Sequence, residues 1–254
     1  MKKSLITIFS IYLSVQSLFG GLVAHYGFEN NTLDSNGALN LGQTGSITYG
    51  TGQFGDAVNF DGASFLWSNS ADFNIGGSDF SVSLWYQTDV TTGFQPLVSK
   101  NSNNTDKGWA VNAGGSSIYG DLNDTTGGEV GFANPNSNNF HHVVFQREEN
   151  TLELYFDGVL VDTDLVTQHT VSNNSFTVGS RNTYNGGQGA LNGATPFTGL
   201  IDELWVFDNA LTQAEINNLF NSNSLAAVPE PATFSLVLMS LMGLGFSRRK
   251  TTKV

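Results

Sequence analysis

The chain has no cysteine, which excludes disulfides and thiolate metal sites, so its core must rest on burial, alone or with an oxygen-ligated metal. Basic residues are scarce in its middle. Lys2, Lys3, Arg248, Arg249, Lys250 and Lys253 lie in the terminal segments, and between Gly21 and Val228 four basic residues face twenty-one acidic ones, a balance of −17. Such a body repels phosphates rather than releasing their counterions, which argues against nucleic acid and is compatible with divalent cations or neutral glycans. Long apolar runs are also missing. Leu5 to Leu13 and Ala232 to Phe246 both fall short of the ~20 residues that a bilayer span prefers. No repeat period is visible, and the adjacent His141 and His142 have neither a zinc spacing nor a Ser-His-Asp pattern around them.

What is present suits an all-β chain. Twenty-nine glycines, many asparagines, few charges and frequent β-branched or aromatic residues point to short strands and many turns. The most informative stretch is Gly199 to Phe220, GLIDELWVFDNALTQAEINNLF. Strict alternation puts Leu200, Asp202, Leu204 and Val206 on one face of a strand and Ile201, Glu203, Trp205 and Phe207 on the other, so both faces are largely apolar and the strand should be covered on both sides. A helix start follows: Thr212 as N-cap, Glu215 closing a capping box, and Leu211 and Ile216 stapled across it, with the helix running to about Phe220. Phe80 to Gln87 alternates in the same way. Asp157-Gly158, between LYF and VLV, is a two-residue hairpin turn.

This stretch resembles the closing strand and helix of laminin G-like, concanavalin A-like jelly-roll domains. The resemblance continues, in the family's order, through LVAHYGFEN at Leu22 to Asn30, GQFGDAVNFDG at Gly52 to Gly62 and FSVSLWYQT at Phe80 to Thr88. It goes on through FHHVVFQRE at Phe140 to Glu148 and LELYFDGVLVDT at Leu152 to Thr163. It implies a concanavalin A-like jelly-roll sandwich of two antiparallel sheets, with first and last strands adjacent and one short C-terminal helix. The expected domain spans 21–221, followed by a small-residue linker, 222–228.

The two ends read as addresses. Lys2 and Lys3, the apolar run Leu5 to Leu13 and the small residues that follow make 1–20 a secretory signal peptide. At the other end Pro229, Glu230 and Pro231, a short apolar segment, and Arg248, Arg249 and Lys250 resemble the PEP-CTERM sorting signal of Gram-negative bacteria. That resemblance implies processing by an exosortase-type enzyme, transient anchoring in the inner membrane, and a mature protein at the cell surface or in the extracellular matrix. A plain tail anchor over 229–254 is the alternative.

Relatives of this fold include glucanases, but their E-x-D-x-x-E strand has no counterpart here. The pairs Glu153 with Asp157 and Asp202 with Glu203 do not reproduce it, and no catalytic residue is assigned. Asp202, beside apolar residues, needs compensation. One answer is a structural calcium ion shared by Asp34 and Asn36 of the DSNG loop with Asp202 and Glu203; the other is that Asp202 accepts backbone amides and Asp34 caps a turn. For sugar binding, Trp109, Tyr119, Asp121, Asn182, Tyr184 and Asn185 supply aromatic faces and hydroxyl partners in or beside loops. The expected function is therefore an exported, non-enzymatic surface or matrix protein that binds extracellular polysaccharide or a surface glycan. A divergent glycan hydrolase or lyase, and a ligand-free structural protein, remain as alternatives.

Overall fold

The computed structural model describes residues 21–90, 92–101, 108–123, 128–135, 138–167, 171–181 and 196–225. The signal peptide and sorting tail read from the sequence lie outside them. Fifteen strands follow in chain order: β1 (Leu22–Tyr26), β2 (Gly42–Thr44), β3 (Thr48–Thr51), β4 (Asp56–Asp61), β5 (Phe65–Ser68), β6 (Phe80–Gln87), β7 (Phe94–Ser99), β8 (Gly108–Gly114), β9 (Ser117–Asn123), β10 (Gly128–Ala133), β11 (His141–Glu148), β12 (Thr151–Phe156), β13 (Val159–Leu165), β14 (Phe176–Val178) and β15 (Thr198–Phe207). A 3-10 turn, Ala71–Phe73, precedes β6, and one α-helix, α1 (Gln213–Ser222), follows β15.

All strand pairs are antiparallel, and they form two sheets. The first runs β13-β12-β11-β6-β15-β4-β3 with β1 added beside β15, and the second runs β10-β9-β8-β7-β14-β5-β2. First and last strands are therefore neighbours, as expected, with His25 opposite Trp205 and Tyr26 opposite Leu204. Between the sheets lies the main core. Val82, Leu84 and Tyr86 of β6, Val143 and Phe145 of β11, and Leu152 and Leu154 of β12 meet Trp109 and Val111 of β8 and Ile118 and Leu122 of β9.

The outer face of the first sheet has a second core, because α1 lies across it. Ile216 and Leu219 of the helix, both almost fully buried, pack with Val144, Tyr155, Trp205, Phe207 and Leu211. The helix begins where its sequence dictates: Thr212 Oγ1 accepts the Glu215 N–H, and the Glu215 carboxylate accepts the Thr212 N–H at 2.7 Å, a complete capping box. It ends at Asn223, whose left-handed backbone (φ 47°) returns its N–H to the Leu219 carbonyl. The β12–β13 turn likewise has Asp157 and Gly158 at φ 47° and 81°, the left-handed pair that a two-residue hairpin needs.

Strict alternation along β15 fails. The register with β6 shifts between Asp202 and Trp205, and Glu203 sits at φ 49°, a β-bulge with a left-handed non-glycine residue. Ile201 faces the main core before the bulge, and Leu204 and Val206 face it after. Asp202 is thereby turned out of the main core, opposite Trp85 in the register and against the loop before β4. One extra residue in the strand moves the carboxylate to the other face.

Candidate functional site

Three polar regions stand out in the sandwich. The outer face of the second sheet is the first. Since Trp109, Val111 and Ala113 of β8 and Ile118 and Leu122 of β9 point into the core, the alternate residues Asn112, Tyr119 and Asp121 point away from it. Asp121 is 8 % exposed and accepts hydrogen bonds from Asn112 Nδ2 (2.8 Å) and Asn101 Nδ2 (3.0 Å). Asn101 Oδ1 in turn accepts the Arg181 Nε–H at 2.8 Å, and the guanidinium lies over the Phe94 ring, 5.4 Å from its centroid. Burial pushes the Asp121 carboxyl up to about 6, against the pull of Arg181 and of the two amides. Tyr119 stands beside this network, half-buried, with Gly131 opposite it on β10 and its ring 6.4 Å from Phe94.

Of the residues expected to bind sugar, Tyr119 and Asp121 thus come together. Trp109 does not belong with them: it is fully buried, stacked on Phe80 at 5.6 Å and near Phe176, so it cannot offer a face to a ligand. Its place on β8 puts it in phase with Val111, and both face the main core. Asn182, Tyr184 and Asn185 lie outside the described residues. Asn101, Asn112, Phe94 and Arg181 escape sequence reasoning because they converge from β8 and from the ends of β7 and β14.

The second region surrounds Asp202. This residue is wholly buried; its Oδ2 accepts the Phe54 N–H at 3.0 Å, while its Oδ1 has no hydrogen-bond partner among the described residues. Burial above all pushes its carboxyl up to about 7. A Cβ on Gly52 would stand 2.4 Å from Oδ2, so the loop approaches this closely only with glycine there. Nearby, Glu29 accepts the Asp56 N–H at 3.2 Å and Asn30 Nδ2 donates to the Asp56 carboxylate.

Asp34 and Asn36, by contrast, belong to a different loop. Asp34 Oδ1 accepts the N–H of His25 (3.0 Å) and of Asn36 (2.9 Å), and Oδ2 accepts that of Leu39 (3.2 Å), so this carboxylate is committed to folding its own turn. Asn36 Nδ2 donates to the Leu22 carbonyl at 3.2 Å. The expected union of Asp34 with Asp202 is corrected accordingly: each holds its own loop, and no group of three or more His, Asp or Glu side chains suited to a metal occurs among the described residues.

Glu203 takes part in the third region, which the sequence does not reveal. His25 Nε2 donates to Glu203 Oε2 at 2.6 Å, Ser35 Oγ lies 2.6 Å from His25 Nδ1, and the imidazole stacks on Trp205 with centroids 3.5 Å apart. His25, Ser35 and Glu203 border a cavity of about 420 Å³ that Phe28, Glu29, Leu33 and Asp34 also line. Serine, histidine and carboxylate are in relay order, but the nearest backbone donors are spent: Ser35 N–H goes to the His25 carbonyl and Asn36 N–H to Asp34. A nucleophilic serine needs donors for the developing oxyanion, and these two amides cannot supply them. His141 and His142 are structural, too. His142 is buried and bonds Ser83 Oγ at 2.8 Å, and His141 bonds Asp157 Oδ2 at 2.8 Å.

The sequence profile of the concanavalin A-like lectin/glucanases superfamily, in its laminin G form, matches residues 60–217, more than half of the chain. The chain belongs to that superfamily. A PEP-CTERM protein-sorting motif matches residues 227–250, which marks an exported protein of the surface or extracellular space and covers Pro229, Glu230, Pro231, Arg248, Arg249 and Lys250. No curated protein matches the sequence. Among solved structures, domain 4 of AbnA, a GH43 extracellular arabinanase from Geobacillus stearothermophilus solved in complex with arabinotriose, is 22 % identical with a TM-score of 0.63, covering 79 % of this chain and 98 % of that one. The binding domain of Paraclostridial Mosquitocidal Protein 1 has 17 % identity, a TM-score of 0.63, and coverage of 80 % of this chain and 52 % of that one. The binding domain of Botulinum Neurotoxin DC in complex with SialylT has 17 % identity, a TM-score of 0.60, and coverage of 82 % and 52 %. The chain spans about half the length of these toxin domains, and identities this low establish a shared fold. No helix among the described residues is long and apolar enough to cross a membrane.

Proposed function

We propose that the protein is a non-enzymatic glycan-binding module, exported to the surface or matrix of a Gram-negative bacterium. The sorting tail would hold it transiently in the inner membrane until an exosortase-type enzyme processes it. The observation that carries the binding reading is the Tyr119 ring beside the Asp121–Asn112–Asn101–Arg181 network on the outer face of the second sheet. An aromatic face packs on the apolar face of a sugar ring, and fixed acceptors and donors beside it meet its hydroxyls. Two of the related structures carry a sugar ligand by their descriptions, arabinotriose and SialylT, which supports the same reading.

Binding is favoured over hydrolysis because each of the carboxylates weighed as part of an acid pair holds a structural hydrogen bond. Glu153 accepts from Gln146 and Tyr155, Asp157 from His141 and the His142 N–H, and Asp202 from Phe54. The test is a polysaccharide screen of the full chain, with reducing ends measured alongside. Retention of one class of glycan, lost in Tyr119→Ala and without release of reducing ends, is expected; steady release of product would sink the reading.

A calcium role rests on separate ground. The unpartnered, wholly buried Asp202 Oδ1 is the kind of oxygen a hard cation satisfies, and we propose that any structural calcium is held at Asp202 rather than by Asp34. Bound there, the ion would supply positive charge to a carboxylate that burial otherwise disfavours.

A further inference from the structure

Among the described residues each sheet ends in an edge strand on the same flank of the sandwich, β13 for the first and β10 for the second. Such edges carry unpaired N–H groups and invite pairing with another chain. Here they are joined by two side chains. Asp162 Oδ1 accepts the N–H of Thr163 on its own strand at 2.9 Å, and its Oδ2 accepts the N–H of Gly131 across the flank at 2.8 Å. Asp164 repeats the arrangement with Leu165 at 2.8 Å and Glu129 at 3.3 Å.

The spacing is that of a ladder. In antiparallel strands, alternate residues direct their N–H groups away from the paired neighbour, and Thr163 with Leu165, like Glu129 with Gly131, are such alternate residues. A carboxylate therefore takes, twice over, the donors that a direct strand-to-strand ladder would use. Gly128 lets the flank close: a Cβ there would stand 2.3 Å from Val166 Cγ1 and 2.7 Å from Leu152 Cδ1.

The remainder of β13 shows what this arrangement holds back. Its sequence is VLVDTDL, with Val159, Leu160 and Leu165 exposed at 62 %, 43 % and 77 %, and Phe132 of β10 adds another exposed apolar group at 38 %. Without the two aspartates the strand would be β-branched and apolar, uncharged and free of proline, the composition that adds readily to another strand. We propose that Asp162 and Asp164 form a carboxylate latch that keeps the β10–β13 flank closed to strand addition by a second copy of this chain. The latch does not depend on any glycan site.

Hydrogen exchange on the full chain tests the latch directly. The amides of Glu129, Gly131, Thr163 and Leu165 should be protected as well as those inside the first sheet, although they lie on edge strands; exchange at the rate of open loops would overturn the proposal. In Asp162→Asn/Asp164→Asn each side chain keeps its shape but presents a donor where one of its two acceptors stood. These four amides should then exchange about tenfold faster or more, and sedimentation should change from a concentration-independent monomer to a self-associating species. A double variant that stays monomeric with its amides protected would refute the latch. Adding Leu165→Lys, an edge charge of the kind that blocks strand pairing, should restore the monomer, and self-association that survives it would come from unfolding and overturn the strand-addition reading.

Discussion

The two sheets carry opposite kinds of outer face. On the first, helix α1 and the loop before β4 lie over β11, β12 and β15, so Trp205, Phe207, Val144 and Tyr155 are buried in a second apolar core. On the second, β8 and β9 turn Asn112, Tyr119 and Asp121 outward, and Asp121 is held by hydrogen bonds from Asn112 and Asn101, the latter accepting in turn from Arg181, rather than by apolar packing. A face paved with aliphatic and aromatic side chains stabilises the fold; one built from a polar network beside an aromatic ring, with the buried Asn112 Oδ1 left without a hydrogen-bond partner among the described residues, contributes less to stability and has an acceptor left to offer a ligand. The difference places structural residues on one side of the sandwich and candidate binding residues on the other.

The sharpest way to break that division is a pair of truncations. Trp205→Ala removes a ring that packs in the second core, stacks on His25 and donates Nε1–H to Asn223 at 3.0 Å; it should cost about 3–5 kcal/mol in a urea melt. The surviving folded protein should still retain glycan. Tyr119→Ala should do the reverse, costing under about 1 kcal/mol of stability while weakening glycan retention about tenfold or more. If Tyr119→Ala melts as early as Trp205→Ala, the outer face of the second sheet is a core element and not a site.

Asp202 tests the boundary of the first face. Its carboxyl is pushed up from an ordinary 3.8 to about 7, mainly by burial, so between those values the native state holds a proton that the unfolded chain has released. Its contribution to stability therefore falls as pH rises from about 4 to about 7, by on the order of a few kcal/mol. Asp121, pushed up to about 6, has the same sign, so the measurement is a difference: Asp202→Asn should flatten the decline of melting temperature across this window relative to wild type. If calcium binds at Asp202, adding it above pH 7 should raise the wild-type melting temperature, by about 2.7 kcal/mol of stability at a hundredfold excess over Kd. Magnesium should substitute poorly, and Asp202→Asn should lose the response while Asp157→Asn keeps it. A wild-type melting curve that neither calcium nor chelator moves would leave Asp202 as a buried carboxyl without an ion.

How much of this could be read from the chain varies with how local the cause is. The capping box at Thr212 and Glu215, the Asp157-Gly158 turn and the pairing of β1 with β15 were legible, because each rests on neighbouring residues or on a recognisable family order. The bulge at Glu203 was not. Nothing in GLIDELWVF signals a left-handed residue in mid-strand, and the slip it introduces reverses which face Asp202 occupies. The short strand β2, the 3-10 turn at Ala71–Phe73 and the extension of β13 to Leu165 escaped for a related reason: tertiary pairing creates them, and their sequences look like loops. The polar network of the second sheet draws on β8, β9 and the ends of β7 and β14, so no window of sequence contains it, whereas Tyr119 and Asp121, two apart on one strand, were within reach.

The smallest expected effect sharpens the comparison from the helix side. Thr212→Ala removes the Oγ1 that accepts the Glu215 N–H and leaves that donor to water, since Thr212 is exposed and Glu215 only half-buried; the loss should be about 1 kcal/mol. Because Ile216 and Leu219 keep their places against Trp205 and Phe207, the helix should stay docked and glycan retention should not change. Combining Thr212→Ala with Leu219→Ala distinguishes a cap that merely trims the helix end from one that holds the cover in place. If the helix docks as a unit, the second truncation should cost several kcal/mol with or without the cap and the two effects should add within about 0.5 kcal/mol. A markedly smaller joint loss would mean that capping and docking fail together, and that the apolar cover of the first sheet depends on the first turn of α1. An unchanged melting temperature in Thr212→Ala alone would show that the cap contributes nothing, and would leave apolar burial as the whole reason the helix lies where it does.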